Sequence, residues 1–372
     1  MKQSLLAIIS VLFITLTISA QSDIEQDTTN NIIEKVMDVI SINRDTYSIT
    51  FFPTMDYNQE EGLSLGAFAA IVIKGNEPEI KSKYFRPTTL VPSISYSTKG
   101  FLLIESDLIA YTKHNLFIGS RFMIYSMPIT YYGIGTPTEE PILFDQETYT
   151  IVGSFLKSLN DLYFLGVSYD IGTVSNQPKE NTSFDSVPGI KGGTQIGFGI
   201  QARIDSRDDI LYPSEGLLVD ISSMQYFVDY SFNISKIDIR YYRSIASKKN
   251  IIALQSVLTV ANGNIPFYKL PKLGGQNMLR SINNSNKYIN NIVYLSQAEY
   301  RRWIWGRFGA VAFVGMGNNL NNWNNHILEG MVFMYGAGMR FRLLEDDKLN
   351  FRLDVGMGNG SPSVFMTIRE AF

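Results

Sequence analysis

The side chains that could do chemistry in this sequence are mostly charged, because it has no cysteine and only two histidines. Without cysteine, disulfides, thiolate catalysis and cysteine-ligated zinc are excluded. His114 falls in a predicted turn and His326 in a predicted loop, and neither stands where a catalytic triad or a metal cluster could be assembled. We therefore expect no enzymatic activity, no metal site and no cofactor.

One arginine stands out by its position in a long loop. Arg280 follows the paired glycines Gly274 and Gly275 in the longest irregular segment, residues 262–290. A loop of this length is usually functional or packed on something, and glycines let a backbone turn tightly and approach a wall. Glu299, on the next predicted strand, is a candidate for a bidentate arginine–carboxylate pair. The alternative is that Arg280 is a solvated loop residue.

A second charged cluster lies in a shorter connection. Asp205 and Asp208 flank Arg207, and the turn formers Pro213 and Gly216 follow. Carboxylates on both sides of an arginine can brace a turn through charge-assisted hydrogen bonds. We interpret the cluster as structural, with docking of a partner as the lesser alternative.

These residues must be positioned by strands, because apolar and polar residues alternate throughout the chain after residue 46. From Gln195 to Asp205, for example, the apolar Ile196, Phe198 and Ile200 alternate with glycine and polar residues. Such alternation is typical of β-strands with two unlike faces. Sixteen runs are predicted, at 48–57, 63–74, 87–98, 101–112, 115–127, 147–158, 161–172, 193–206, 216–229, 232–245, 249–261, 291–303, 307–318, 330–344, 348–357 and 363–372.

Both a soluble β-sandwich and a membrane barrel would show this alternation. The barrel is favoured because the polar faces are rich in glycine and opposite charges, whereas the apolar faces are large and aromatic. Strands of roughly 10–12 residues also suit a tilted bilayer span. The sequence therefore predicts an all-β fold, a transmembrane antiparallel β-barrel of 16 strands with short periplasmic turns and long external loops.

The first 46 residues are different in character. Residues 1–20 have a basic start and a short apolar core, which predicts a cleaved signal peptide. Residues 21–46 are expected to form a short periplasmic segment, either an amphipathic helix or a frayed tail, and residues 47–372 the barrel. Net charge is −3 and basic residues are scattered, so no nucleic-acid partner is expected.

Several short motifs, in their order along the chain, carry a resemblance to a known family. They are the hairpin at Asn58–Gly62, the Tyr131–Gly135 stretch, the Asp205–Gly216 turn, the glycine pair with Arg280, and the apolar end at Val364, Met366, Ile368 and Phe372. Together they resemble the bacterial surface antigen family of outer-membrane assembly and translocation barrels, to which BamA and TamA belong. The resemblance covers residues 47–372.

The resemblance implies a barrel of sixteen strands whose sixth external loop enters the lumen. The loop's arginine would be Arg280, so Gly274, Gly275, Arg280 and Glu299 become the expected lumen anchor. The sequence departs from the family in that Ser281 follows the arginine and Gly315 stands where an aspartate is common. The loss of that acidic partner makes the anchor more dependent on Glu299.

The resemblance further implies that the seam between the first and last strands matters. Pro53 lies in the first strand, and proline cannot donate a ladder hydrogen bond. It either weakens the seam or has no effect. Val364, Met366, Ile368 and Phe372 are expected on one face of the last strand.

The leading functional hypothesis, which rests on the resemblance, is that the barrel assists insertion or transport of proteins or lipids at the bacterial outer membrane. Relatives carry folded periplasmic repeats, and only residues 21–46 stand before this barrel, so a barrel-only member is expected. Expected partners are outer-membrane lipids, nascent outer-membrane proteins and a periplasmic or lipoprotein partner. The alternative function is a loop-plugged channel, lined by charges such as Arg203, Arg340, Arg352 and Asp354.

Overall fold

A computed structural model describes residues 41–58, 61–73, 88–112, 115–179, 187–324, 328–344, 349–358 and 362–372. The predicted signal peptide, the predicted helix of the N-terminal segment and both histidines lie outside these residues. Seventeen strands and one short 3-10 helix, η1 (Phe267–Lys269), make up the described elements. None of the described helical residues forms a helix that is long and apolar enough to cross a membrane.

The strands follow the chain in order around one sheet. They are β1 (Ser41–Asn43), β2 (Tyr47–Asn58), β3 (Gly62–Ile73), β4 (Thr88–Ser97), β5 (Leu102–Tyr111), β6 (Leu116–Tyr131), β7 (Ile142–Ser158), β8 (Tyr163–Pro178), β9 (Gly192–Asp205), β10 (Gly216–Val228), β11 (Phe232–Ile245), β12 (Ser247–Gly263), β13 (Ile292–Trp305), β14 (Phe308–Leu320), β15 (Val332–Leu344), β16 (Leu349–Gly358) and β17 (Ser363–Ile368).

Strands β2 to β17 close into an antiparallel barrel, because each pairs with its successor and β17 returns to β2. The prediction of sixteen barrel strands is thereby confirmed. Strand β1, which lies in the segment expected before the barrel, adds to the free side of β2 and pairs Ser41–Asn43 with Ser48–Thr50. The three-residue β1 is thus a seventeenth strand, paired with the edge of β2 that β3 does not occupy.

Alternation of side chains divides the barrel into two faces. Outward residues are large, apolar and exposed, such as Phe198 at 56%, Val314 at 57% and Tyr335 at 58%. Inward residues on the same strands are small or polar, as the sequence predicted. Such an outer face suits hydrocarbon and such an inner face suits a polar lumen.

The lumen is filled from one end by the segment 264–291 between β12 and β13. We call this segment the lumen loop, and the barrel end that it enters the loop end; the opposite end, with the short connections, is the turn end. Two apolar clusters hold the segment. One surrounds Phe267 with Tyr131 and Phe144, and the other surrounds Leu279 with Val311 and Met334.

Candidate functional site

The lumen loop folds back on itself as a compact hairpin-like segment. Lys272 bridges to Ile289, and the Leu273 amide donates to the Tyr288 carbonyl at 3.1 Å. A Cβ at Gly274 would collide with the side chain of Ile282, and Gly275 has φ +126°, which L residues rarely adopt. Both glycines of the predicted anchor are therefore required by the backbone, one for close approach and one for its conformation.

Arg280 lies at the end of this fold, with a side chain that is 0% exposed. Its Nη2 is 2.5 Å from Glu299 Oε1 on β13, and its Nη1 is 2.7 Å from Asp354 Oδ2 on β16. The guanidinium also stacks on the ring of Phe313, at 3.7 Å from the centroid. One side chain therefore joins the loop to two strands that are not neighbours. This is a contact that arginine can make because its planar fork presents several donors.

The two carboxylates are themselves held by further arginines. Glu299 Oε2 is 2.7 Å from Arg301 Nε, and Asp354 Oδ1 is 2.6 Å from Arg340 Nη1. Arg340 continues to Glu370, with 2.7 Å between Nε and Oε2. The chain of charges runs through the lumen beside the Arg280 pair and is almost completely buried. In so dry a place each ion depends on its partners, because an unpaired buried charge is costly.

A second attachment, which the sequence analysis missed, fixes the other end of the loop. Lys269 Nζ is 2.6 Å from Asp170 Oδ2 on β8, and the Tyr226 hydroxyl donates to the same oxygen at 2.9 Å. Lys269 is the last residue of η1, whose Phe267 lies in the apolar cluster at the loop end. The lumen loop is thus held against β8 at one point and against β13 and β16 at another.

The turn motif forms a separate braced structure at the turn end. Arg207 Nε and Nη2 donate to the two oxygens of Asp205 at 2.9 and 2.8 Å. Burial would lower the pKa of Arg207, but the hydrogen bonds and charge of Asp205 raise it above its ordinary value. Asp208 accepts from the Ser214 amide and hydroxyl, which closes the turn around Pro213, and Gly216 begins β10 with φ +115°.

The seam between the first and last barrel strands has the shortest ladder in the barrel. β17 and β2 share one pair, Met366 with Tyr57, whereas β17 shares six pairs with β16. Val364, Met366 and Ile368 alternate along β17 and share one face of it. Pro53 lies inside β2, opposite Ala67 of β3.

The prediction that the last strand continues to Phe372 is wrong. β17 ends at Ile368, and Arg369 has φ +78°, which breaks the strand. The following residues turn into the lumen, where Glu370 binds Arg340 and the Phe372 backbone oxygen accepts from Arg301 Nη2 at 2.8 Å. Phe372 packs on Tyr242 and Ala253 instead of lying on the outer face. The strand breaks because these inward charged partners hold residues 370–372 away from β2.

The sequence did not identify Asp354 and Glu370 as parts of the charged network around Arg280. Asp354 is an inward residue of an alternating strand, but nothing local distinguishes it as a partner of Arg280. Glu370 was missed because residues 363–372 were interpreted as one strand. Among the described residues no group of three or more histidine, cysteine, aspartate or glutamate side chains is arranged to hold a metal ion.

Comparison with known proteins shows similarity in structure alone. No protein-family model and no curated protein matches the chain. BamA from Haemophilus ducreyi lacking POTRA domains 1–3 is similar with a TM-score of 0.56 and 15% identity over 88% of this chain and 70% of that chain. CdiB from Acinetobacter baumannii has a TM-score of 0.55 and 13% identity over 88% and 60%.

CdiB from Escherichia coli has a TM-score of 0.59 and 8% identity over 88% of this chain and 63% of that chain. The chain therefore spans 60–70% of the length of these three structures. At sequence identities this low, the structural similarity establishes the fold alone. A closed barrel of sixteen antiparallel strands, an apolar outer face and these structural neighbours together make the chain an outer-membrane β-barrel with a BamA-like fold.

Proposed function

We propose that this barrel assists the insertion or transport of proteins at the outer membrane, and that the seam between β2 and β17 is where it acts. The observation that carries the proposal is the single ladder pair at the seam. β2 makes twelve pairs with β3 on its other side, so its seam side is left largely without a strand partner. An exposed strand edge is a template to which another extended chain can add.

The boundaries of the free edge can be read from the register. β17 pairs with β2 at Tyr57, and β1 pairs with β2 at Ser48–Thr50. Residues 51–56 between these two pairings have no ladder partner on the seam side among the described residues. Pro53, in the middle of this stretch, has no N–H to offer an added strand. The free edge therefore offers a short, incomplete template, on which an added strand would be held weakly enough to leave.

The resemblance to the bacterial surface antigen family, whose barrels assemble and translocate proteins, supports the same function. Nascent outer-membrane proteins, outer-membrane lipids and a periplasmic or lipoprotein partner are the partners that this function requires. In this proposal the lumen loop enters from the external side and the braced Asp205–Gly216 turn faces the periplasm. The Arg280 anchor holds β13 and β16, the wall next to β17, in place while the seam opens.

A photo-crosslinking residue at Met366, on the outer face of β17, tests the proposal in living cells. We expect it to capture strands of other outer-membrane proteins, because Met366 borders the free edge. The matched control is a crosslinker at Phe198, an equally outward position on the opposite wall. Protein adducts at both positions alike, or lipid adducts alone at Met366, would contradict action at the seam.

A disulfide across the seam tests whether opening is needed. The chain has no cysteine of its own, so Tyr57→Cys with Met366→Cys introduces the sole pair. We expect the oxidised variant to lose function, scored as the amount of folded barrel proteins in the outer membrane, and to regain it on reduction. The control pair Ile94→Cys with Ile104→Cys joins β4 to β5, also on the outer face, and should have no effect.

One observation favours the alternative, a channel. The side chain of Arg121, which points inward from β6 toward Asp107 of β5, is 46% exposed, so water reaches this part of the lumen. The lumen loop opposes free passage, because its two attachments and the apolar cluster around Phe267 fill the loop end. Steady ion conduction by the purified barrel, without protein capture at Met366, would favour the channel.

A further inference from the structure

Three exposed cations lie close together at the turn end of the barrel. Lys248 and Lys249 stand at the start of β12, and Arg302 of β13 pairs with Asn250, the next residue of β12. All three of these basic residues are exposed. Because both lysines are within two residues of Asn250, their long side chains and that of Arg302 can reach the same anion. We call Lys248, Lys249 and Arg302 the basic patch.

The basic patch has no counterion in the part of the chain that the structure describes. None of its three members forms an ion pair with a described residue, whereas Arg203 on the inner face is paired with Asp220 at 2.6 Å. The sequence around the patch supplies no carboxylate either, since residues 243–250 and 302–310 contain neither aspartate nor glutamate. The two connections that adjoin β12 and β13 at the turn end are therefore purely basic.

An exposed carboxylate at the same end of the barrel faces a different cation. Glu215 precedes Gly216, which pairs with Tyr242 of β11, so the register places Glu215 beside Arg243. β11 separates this pair of charges from β12, and for this reason Arg243 is not counted in the basic patch. The positive charge of the patch is thus left for a partner outside the barrel.

The basic patch lies at the border of the lipid-facing surface. Arg302 stands between Tyr300 and Ile304 on β13, which have 42% and 51% of their surface exposed on the outer face. Trp305 follows and is 61% exposed, and the Tyr300 hydroxyl donates to Asn250 Oδ1 at 2.9 Å. Exposed tyrosine and tryptophan beside apolar residues are typical of the interface between membrane and water. The patch is therefore at the depth of the lipid headgroups.

A lipid phosphate fits this position better than an acidic protein does. A protein in the aqueous phase could contact the two lysines, but Arg302 is flanked by Tyr300 and Ile304, which face lipid. Basic side chains near a membrane surface are attracted to anionic lipids, by about fivefold in affinity for each residue. A zwitterionic headgroup places its own cation beside its phosphate, whereas phosphatidylglycerol has none.

We propose that the basic patch binds the phosphate of one anionic phospholipid of the phosphatidylglycerol class. Ile252 and Leu254 of β12 and Ala298 of β13 continue the outer face from the patch toward the loop end, and they offer apolar surface to the acyl chains. In the orientation proposed above, the lipid belongs to the periplasmic leaflet. The site needs no opening of the seam, so only the leaflet, and not the site, rests on the proposed function.

Native mass spectrometry of the purified barrel tests the site. The barrel in detergent is titrated with phosphatidylglycerol and, separately, with phosphatidylcholine of the same acyl chains. We expect one phosphatidylglycerol to bind with a clear preference over phosphatidylcholine, and the combined variant Lys248→Gln, Lys249→Gln and Arg302→Gln to lose this preference. Arg302→Gln alone should weaken phosphatidylglycerol binding by about fivefold, and Arg302→Lys, which keeps the charge, should weaken it less.

The matched control changes the net charge equally at three exposed lysines elsewhere, with Lys99→Gln, Lys157→Gln and Lys191→Gln combined, and should retain the preference. Equal affinity of the unaltered barrel for both lipids, or an equal loss in the two combined variants, would overturn the proposal. Complete displacement of the lipid by inorganic phosphate would also overturn it, because the site would then be one for a free anion. If the combined variant does not fold, Arg302→Gln decides, and unchanged binding by that variant refutes the site.

Discussion

At the scale of residues, the centre of the structure is a guanidinium that serves two carboxylates. Arg280 binds Glu299 and Asp354 with no exposed surface on any of the three side chains. Replacing it with methionine keeps much of the volume but leaves two buried carboxylates short of a partner. We expect Arg280→Met to destabilise the barrel by about 3–5 kcal/mol, the usual cost of breaking a buried ion pair from one side.

Heat modifiability on gels, or denaturant unfolding in detergent, measures this loss. Arg280→Lys should recover little of it, because an ammonium cannot bridge two carboxylates with a planar fork. Lys287→Ala, in the same loop and outside the ion pairs, is the control. Because Arg280 and Glu299 act as a pair, adding Glu299→Gln to Arg280→Met should cost less than the sum of the two single changes; strict additivity would show that they are independent.

At the scale of elements, β17 is held in a broken form by the residues after it. If the Met366–Tyr57 register continued, Ile368 would face Met55 and the next residues would cover the free edge of β2. Arg369, with φ +78°, prevents this and directs residues 370–372 inward. A β-branched residue disfavours positive φ strongly. We therefore expect Arg369→Val to extend β17 along β2.

Disulfide formation between Met55→Cys and Ile368→Cys reports that extension. Oxidation should be slow with Arg369 present and faster with Arg369→Val, whereas the Tyr57 and Met366 pair should oxidise readily in both backgrounds. Equal rates for the Met55 and Ile368 pair in both backgrounds would mean that the positive φ does not hold the strand apart.

The barrel strands show which features of the fold the sequence predicts and which it does not. All sixteen barrel strands could be predicted because alternation is a local property, repeated along each strand. Their ends could not, since β6 extends to Tyr131 and β8 to Pro178 by pairing with β7, a partner distant in sequence. The sequence did not identify Asp354 as an anchor for a similar reason. Only the three-dimensional arrangement of the barrel shows that Glu299 on β13 and Asp354 on β16 both reach Arg280.

At the scale of the whole molecule, the lumen loop fills one part of the lumen, whereas the part around Arg121 is accessible to water. The lumen loop is fixed to β8 through Lys269 and to β13 and β16 through Arg280. These attachments lie on different walls, so releasing one still leaves the loop held by the other. We expect the unaltered barrel to conduct ions weakly in planar bilayers, each single variant Lys269→Ala or Arg280→Ala to change this little, and the double variant to show larger, fluctuating openings.

Because the lumen around Arg121 is accessible to water, the conductance measurement also distinguishes between the two proposed functions. Because the Arg121 side chain is exposed to the lumen, removal of the loop would connect an existing aqueous region to the loop end. A large, steady conductance of the unaltered protein would mean that the loop does not obstruct the lumen, and the channel would then replace assembly as the better explanation of the fold. Weak conduction that rises only in the double variant would instead leave the seam between β2 and β17 as the remaining route through this barrel.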